Sequence, residues 1–325
     1  MAIRMVVGRA AFALLLCGVV AGPAALEAQA TDGRLLLQPP PPSGGQQNVI
    51  PFMEGWYANE DGTYTISFGY LNLNQEAVME IAVGEDNRIE VEEFDGMQPT
   101  IFLPGRHRGV FAVTVPADRK GDDVWWNIGA RDGTGEVMRV PGRTTAMAYE
   151  LDWKSRPQGS LHPLVWFESS SQEGRGPRGI AAQRTLTATV GSPIVLSINA
   201  RDPSERDPDD FRSADVALRV VWSRYKSSGE VEFTRHESNP EPEPEEVTDS
   251  TSAAGRRAIA RNNNPPGPES ILLEEGHGLA SVIATFSEPG EYVLLAQVDN
   301  FNAVDSASND QCCWTNGYVR VRVTR

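Results

Sequence analysis

Between residues 51 and 153 apolar and polar positions alternate with a period of two. Tyr64, Ile66, Phe68 and Tyr70 are interleaved with Thr63, Thr65, Ser67 and Gly69, the pattern of a half-buried strand. Asn59-Glu60-Asp61-Gly62 supplies turn chemistry just before it. Further strand-like runs occupy 77–83, 88–94, 109–115, 123–129 and about 145–152, with Phe111, Val113 and Val115 on one face of the third of these. No segment holds a helical period for three turns. This half is predicted to be a small antiparallel sandwich or barrel.

Residues 183–325 repeat the theme more clearly. Leu186, Ala188 and Val190 alternate with threonines, and Ile194, Leu196, Ile198 and Ala200 alternate with Ser197 and Asn199. Val216, Leu218, Val220 and Trp222 share a face, and runs at 229–235, 279–286, 290–298 and 317–324 bring the set to seven strands. Seven short alternating strands are the signature of an immunoglobulin-like sandwich. Trp222 takes the place of the buried tryptophan of the third strand, and Tyr292 that of the tyrosine corner. The fold class expected is thus all-β: two β-sandwich domains, the C-terminal one immunoglobulin-like.

The remaining segments break the pattern. Residues 31–50 contain Pro39-Pro40-Pro41-Pro42-Ser43-Gly44-Gly45, a tether with no core to make. Residues 154–182 carry Pro157, Pro163 and Pro177 with scattered glycines and are predicted to be a linker. Gly174-Arg175-Gly176-Pro177-Arg178-Gly179 matches G-x-G-x-x-G as a string, yet the dinucleotide fingerprint needs a strand before it and a helix behind it, and Pro177 in a glycine-rich coil offers neither. An insertion at 237–276, acidic and proline-rich at Pro240-Glu241-Pro242-Glu243-Pro244, is expected to be a flexible solvated loop.

Two stretches carry a resemblance. Thr189-Val190-Gly191-Ser192-Pro193 to Asp202-Pro203, and Pro289-Gly290-Glu291-Tyr292 to Val298-Asp299, are similar to the second and sixth strands of bacterial PKD-like immunoglobulin-like domains. The W-x-F-G-D-G signature of PKD repeats is replaced by Trp222-Ser223-Arg224-Tyr225. The N-terminal half, with Glu54-Gly55-Trp56-Tyr57, Phe68-Gly69-Tyr70-Leu71-Asn72 and Phe102-Leu103-Pro104-Gly105-Arg106, resembles uncharacterised secreted bacterial proteins that pair such a domain with an immunoglobulin-like one. The resemblance implies architecture and carries no activity.

Residues 1–30 set the expected compartment. Arg4 and Arg9, an apolar stretch from Ala10 to Val20 and Ala28-Gln29-Ala30 form a secretory signal peptide with cleavage before Thr31. The apolar stretch falls short of the roughly 20 residues that span a bilayer, and no later stretch approaches that length. A soluble secreted or periplasmic protein is expected. Cleavage leaves 27 basic against 43 acidic residues, a net charge of −16 rather than the −15 of the whole chain. That sign disfavours nucleic acid and anionic membrane as partners.

Candidate chemistry is sparse. There is no G-x-S-x-G, H-E-x-x-H, P-loop or C-x-x-C. His107, His162, His236 and His277 show no ligand spacing and are each expected at the surface or in a turn. Asp202, Glu205, Asp207, Asp209 and Asp210 crowd one loop; they could ligate calcium, or Arg201, Arg206 and Arg212 could neutralise them instead. Trp56, Tyr57, Trp125 and Trp126 are the aromatics able to stack on a sugar or peptide. Trp125 and Trp126 must point to opposite faces of a strand, so one can be core while the other is exposed or covered. With Cys17 lost in the signal, Cys312 and Cys313 are the remaining thiols. Neighbouring Cα atoms lie about 3.8 Å apart, below the usual ~4.4–6.8 Å for a disulfide. A vicinal disulfide, two free thiols and intermolecular bridges all stay open.

Three functions fit. The first is a non-catalytic secreted binding or adhesion module whose partner is an extracytoplasmic protein or glycan. The second is a carbohydrate-active or hydrolytic enzyme using carboxylates from separate strands. The third is a structural subunit of a surface assembly joined through a terminal strand bearing Val319, Val321 and Val323.

Overall fold

A computed structural model describes residues 47–325 except 132, 169–171, 208, 210–215, 245, 253–255, 257–258, 260–261, 264 and 307–311. The signal sequence, the tether as far as residue 46, and Asp210 and Arg212 lie outside the described residues. Residues Gln46–Arg325 form one compact unit.

The first half contains strands Val49–Ala58 (β1), Tyr64–Asn72 (β2), Met79–Glu80 (β3), Asn87–Ile89 (β4), Ile101–Phe102 (β5), Gly105–Val115 (β6), Val124–Gly129 (β7), Val137–Gly142 (β8) and Glu150–Leu151 (β9). They build a four-stranded sheet in the order β6-β2-β1-β9 and a three-stranded sheet in the order β4-β7-β8, with β3 and β5 paired separately. Trp56, Ile66, Phe68, Phe111, Trp126 and Ile128 fill the space between them. The outer face of the larger sheet is covered too: Thr65 and Ser67, read as the wet alternants of β2, are 1 % exposed.

The second half follows with Leu164–Trp166 (β10), Gly174–Arg175 (β11), Ile180–Ala181 (β12), Leu186–Thr189 (β13), Ile194–Arg201 (β14), Leu218–Lys226 (β15), Val231–Arg235 (β16), Ser270–Leu273 (β17), His277–Phe286 (β18), Gly290–Asp299 (β19) and Trp314–Thr324 (β20). One sheet runs β11-β10-β14-β18-β16; the other runs β12-β20-β19-β15-β17, with β13 also paired to β20. The predicted alternation is what packs them. Leu196, Ile198, Val220, Trp222, Leu294 and Val321 share one core, and the Tyr292 hydroxyl donates to the Glu288 carbonyl at 2.8 Å, closing a tyrosine corner.

Three expectations need correction. Residues 154–182 are not simply a linker, because β10, β11 and β12 lie within them and add to both sheets of the second half. The insertion at 237–276 ends in β17, which pairs with β15 through Leu218 to Val221. The terminal strand β20 offers no open edge: β19 occupies one side, and β12 and β13 run parallel to the other.

The two sandwiches meet along a hydrogen-bonded seam. Asn316 Nδ2 and Trp314 Nε1 donate to the Gly109 carbonyl at 2.7 and 3.3 Å. The Tyr318 hydroxyl donates to Val110 O at 2.9 Å, and the Thr100 amide donates to Tyr225 O at 3.0 Å. Tyr225 and Leu295 complete the core of the first half. Gly109 has φ +52°, and a Cβ there would fall inside the Trp314 indole, so glycine is required for this approach.

Candidate functional site

At one end of the seam five aromatic or sulfur-bearing positions converge. Adjacent residues of β1 face opposite ways: Trp56 enters the first core, whereas Tyr57 turns outward and stacks on Trp153 at 4.3 Å between centroids. The Tyr57 hydroxyl lies 3.3 Å from His162 Nε2, and His162 Nδ1 lies 3.0 Å from the Trp314 carbonyl. A carbonyl can only accept, so Nδ1 carries the proton and Nε2 keeps its lone pair for the Tyr57 hydroxyl. Burial pushes the imidazole pKa down to about 4 and the Tyr57 phenol up. His162, expected in a surface turn, is 3 % exposed. Its apolar walls favour the neutral ring.

Cys312 and Cys313 lie beside it, 7 % and 0 % exposed, and are joined by a disulfide. The Cys313 amide donates to Ser306 Oγ at 2.8 Å, Ser306 donates to Asn300 Oδ1, and Asn300 Nδ2 donates to Leu161 O at 3.0 Å. The loop after β19 is thereby tied to the stretch that carries His162. Asp305 anchors the same stretch, taking Ser160 Oγ at 2.6 Å and the Gln158 amide at 2.7 Å. Burial alone would raise the Asp305 carboxyl; the hydrogen bonds from Ser160 and Gln158 outweigh it and hold the group below its usual range.

Over the solvent side of Trp153 opens a pocket of about 300 Å³, lined by Asn59, Glu60, Thr65, Trp153, Arg175 and Arg178. Asn59, Glu60 and Thr65 come from the β1–β2 hairpin, and both arginines from the turn joining β11 to β12. Arg175 Nη2 donates to the Trp153 carbonyl at 2.8 Å, and its guanidinium carbon lies 5.4 Å from the indole centroid. Partial burial holds the Arg175 pKa below its usual value, opposed by Glu60 and Tyr57. Two guanidinium groups thus face an aromatic wall and one carboxylate, on a chain whose net charge is strongly negative. The G-x-G-x-x-G string forms this turn and opens no helix. Gly176 has φ +71°, and a Cβ there would sit 2.7 Å from the Trp153 ring.

Three of the four aromatics singled out from the sequence are spent on packing. Trp56 is 2 % exposed and its indole donates to Ala146 O at 3.0 Å. Trp126 is fully buried and donates to Asn87 Oδ1 at 3.1 Å. Tyr57 is 1 % exposed beneath Trp153. Trp125 points out from β7, as the opposite-face argument requires, but the Arg139 guanidinium lies 4.0 Å over its ring and Arg143 lies at 5.6 Å. None offers a bare platform.

The acidic loop does not converge either. Asp202 Oδ2 pairs with Arg206 at 2.8 Å, and Oδ1 accepts from Ser204 Oγ at 2.5 Å. Glu205, Asp207 and Asp209 are exposed, and Asp207 accepts the Asp209 amide at 2.9 Å. Arg206 also reaches Ser160 Oγ at 3.1 Å, which couples the loop to the Asp305 anchor. His107 stacks on Tyr70, and His236 and His277 are exposed.

Sequence reasoning missed Trp153, His162, Arg175 and Arg178 as a group. All but Trp153 fall in the stretch read as a linker. The readable signal was the pair Gly176 and Gly179: the first admits Trp153, and a Cβ on the second would collide with the Asn316 backbone.

No family model and no curated protein matches the chain. Solved structures similar to it include PapD-like domain 7 of human CEP192, at 13 % identity, covering 53 % of this chain and 90 % of that one with a TM-score of 0.24. The D0-D1 domain of intimin matches at 11 % identity, covering 85 % and 97 %, TM-score 0.22. The Yersinia pseudotuberculosis adhesin InvE matches at 9 % identity, covering 85 % and 58 %, TM-score 0.21. Superpositions this loose carry no functional argument, and the immunoglobulin-like character of the second half rests on its own strand order and tyrosine corner. Among the described residues no helix is long and apolar enough to cross a membrane.

Proposed function

We propose that this protein is an extracytoplasmic, non-catalytic binding module, its second half a PKD-like immunoglobulin-like domain, and that it holds acidic glycans in the pocket over Trp153. The observation that carries this reading is the convergence of Arg175 and Arg178 on one aromatic wall. Guanidinium groups recognise carboxylates through directed, charge-assisted hydrogen bonds. Trp153 supplies the apolar surface that a sugar ring covers, and Asn59, Thr65 and Glu60 supply polar partners for hydroxyls. Glu60 is the single carboxylate among the pocket's lining residues, so the paired acids of glycoside hydrolysis are not assembled there. Export rests on the signal sequence. Glycan-array screening of the mature protein tests the proposal: hits enriched in uronic-acid glycans and lost in Trp153→Ala support it, and hits confined to neutral glycans, or none, reject it.

A further inference from the structure

The described residues contain one group of three side chains able to share a metal ion: His162, Cys312 and Cys313, whose ligand atoms all lie within 4.8 Å of one another. All three are buried. They sit under the glycan pocket, but the inference drawn from them does not depend on it.

We propose that Cys312 and Cys313, once reduced, form with His162 a binding site for a soft, thiophilic cation of the Zn²⁺, Cd²⁺ or Cu(I) class. The donor set selects that class, since thiolate and imidazole together favour soft and borderline ions over Ca²⁺ or Mg²⁺. The spacing is suitable: metal–sulfur bonds of about 2.3 Å and metal–nitrogen bonds of about 2.0–2.1 Å place neighbouring ligands roughly 3.5 Å apart. Atoms already within 4.8 Å need only small side-chain rotations. The second layer is in place as well. His162 Nδ1–H donates to the Trp314 carbonyl, the arrangement that fixes the tautomer and orientation of a metal-bound histidine. The Ser306 hydroxyl holds the Cys313 amide, which limits how far the cysteine pair can drift.

The chemistry balances with a trialkylphosphine as the reductant. The phosphine donates an electron pair that breaks the Sγ–Sγ bond and becomes its oxide with an oxygen from water. The two protons of that water go to the sulfurs. Metal binding then displaces both thiol protons, while His162 contributes a lone pair and releases none.

The test uses the mature protein, reduced with phosphine, freed of reductant without oxygen, and titrated with Cd²⁺. Thiolate-to-cadmium charge transfer is followed by ultraviolet absorption, and bound metal by native mass spectrometry. The expected result is one cadmium per chain in the reduced protein and none in the oxidised protein. His162→Ala, which may be read alongside His162→Gln should the smaller side chain destabilise the fold, is expected to weaken binding by about tenfold or more, and Cys313→Ser to abolish it. Absence of a stoichiometric band in the reduced protein, folded or not, overturns the proposal. So does an affinity unchanged in both His162 variants, or equal uptake by the oxidised protein.

Discussion

Replacing Gly109 by alanine places two separate penalties at the seam. The backbone there has φ +52°, a left-handed conformation that costs a residue bearing a Cβ about 1–2 kcal/mol. The new methyl also falls inside the Trp314 ring, which is 1 % exposed and pinned by its indole N–H to the Gly109 carbonyl. Forcing extra volume into such a site costs a further ~1–3 kcal/mol. The total of roughly 2–5 kcal/mol corresponds to a drop in Tm of about 5–15 °C for a unit of this size. Gly62→Ala separates the two terms, since Gly62 has φ +82° with nothing within 4 Å of the added Cβ; about 1–2 kcal/mol is expected there. Differential scanning calorimetry measures both. A Gly109→Ala protein no less stable than Gly62→Ala refutes the reasoning, because the seam would then yield freely.

Other consequences follow from single contacts. The His162 pKa falls from 6.5 unfolded to about 4 folded. Between these values the unfolded chain binds more protons, so this group's contribution is intact above about pH 6.5 and is lost as pH falls towards 4, to the extent of roughly 3 kcal/mol. Urea denaturation at pH 7 and pH 4.5 checks it: His162→Gln should lose less stability than wild type over that interval, and an equal loss contradicts the assignment. Tyr292→Phe removes the hydroxyl that reaches Glu288 O and should cost about 1 kcal/mol with the fold retained; chemical denaturation monitored by tryptophan fluorescence reads the difference.

The second sandwich was legible because its strands keep one wet and one dry face. Leu196 and Ile198 against Ser197 and Asn199 show this directly, and Trp222 and Tyr292 fell where the immunoglobulin-like pattern places them. The first half was harder. Its larger sheet is covered on both faces, so polar residues such as Ser67 and Thr65 are buried and the alternation no longer reports exposure. Short strands such as Met79–Glu80 and Ile101–Phe102 hold too few residues to show a period. The pocket was concealed for another reason. Proline and glycine in 154–182 mark turns, and turns were read as a linker, whereas Gly176 and Gly179 serve close packing against Trp153 and Asn316. Nothing local in the sequence pairs His162 with Cys312 across the chain; only the strand order does so.

The central claim concerns the pocket over Trp153, and isothermal titration with a defined oligouronate and its neutral counterpart tests it most directly. The account predicts heat with the oligouronate alone, weakened by added salt and about tenfold or more weaker in Arg178→Ala, the loss of one charge-assisted contact of ~1.5–3 kcal/mol. Equal binding of the neutral oligosaccharide, or unchanged affinity in Arg178→Ala, would contradict it.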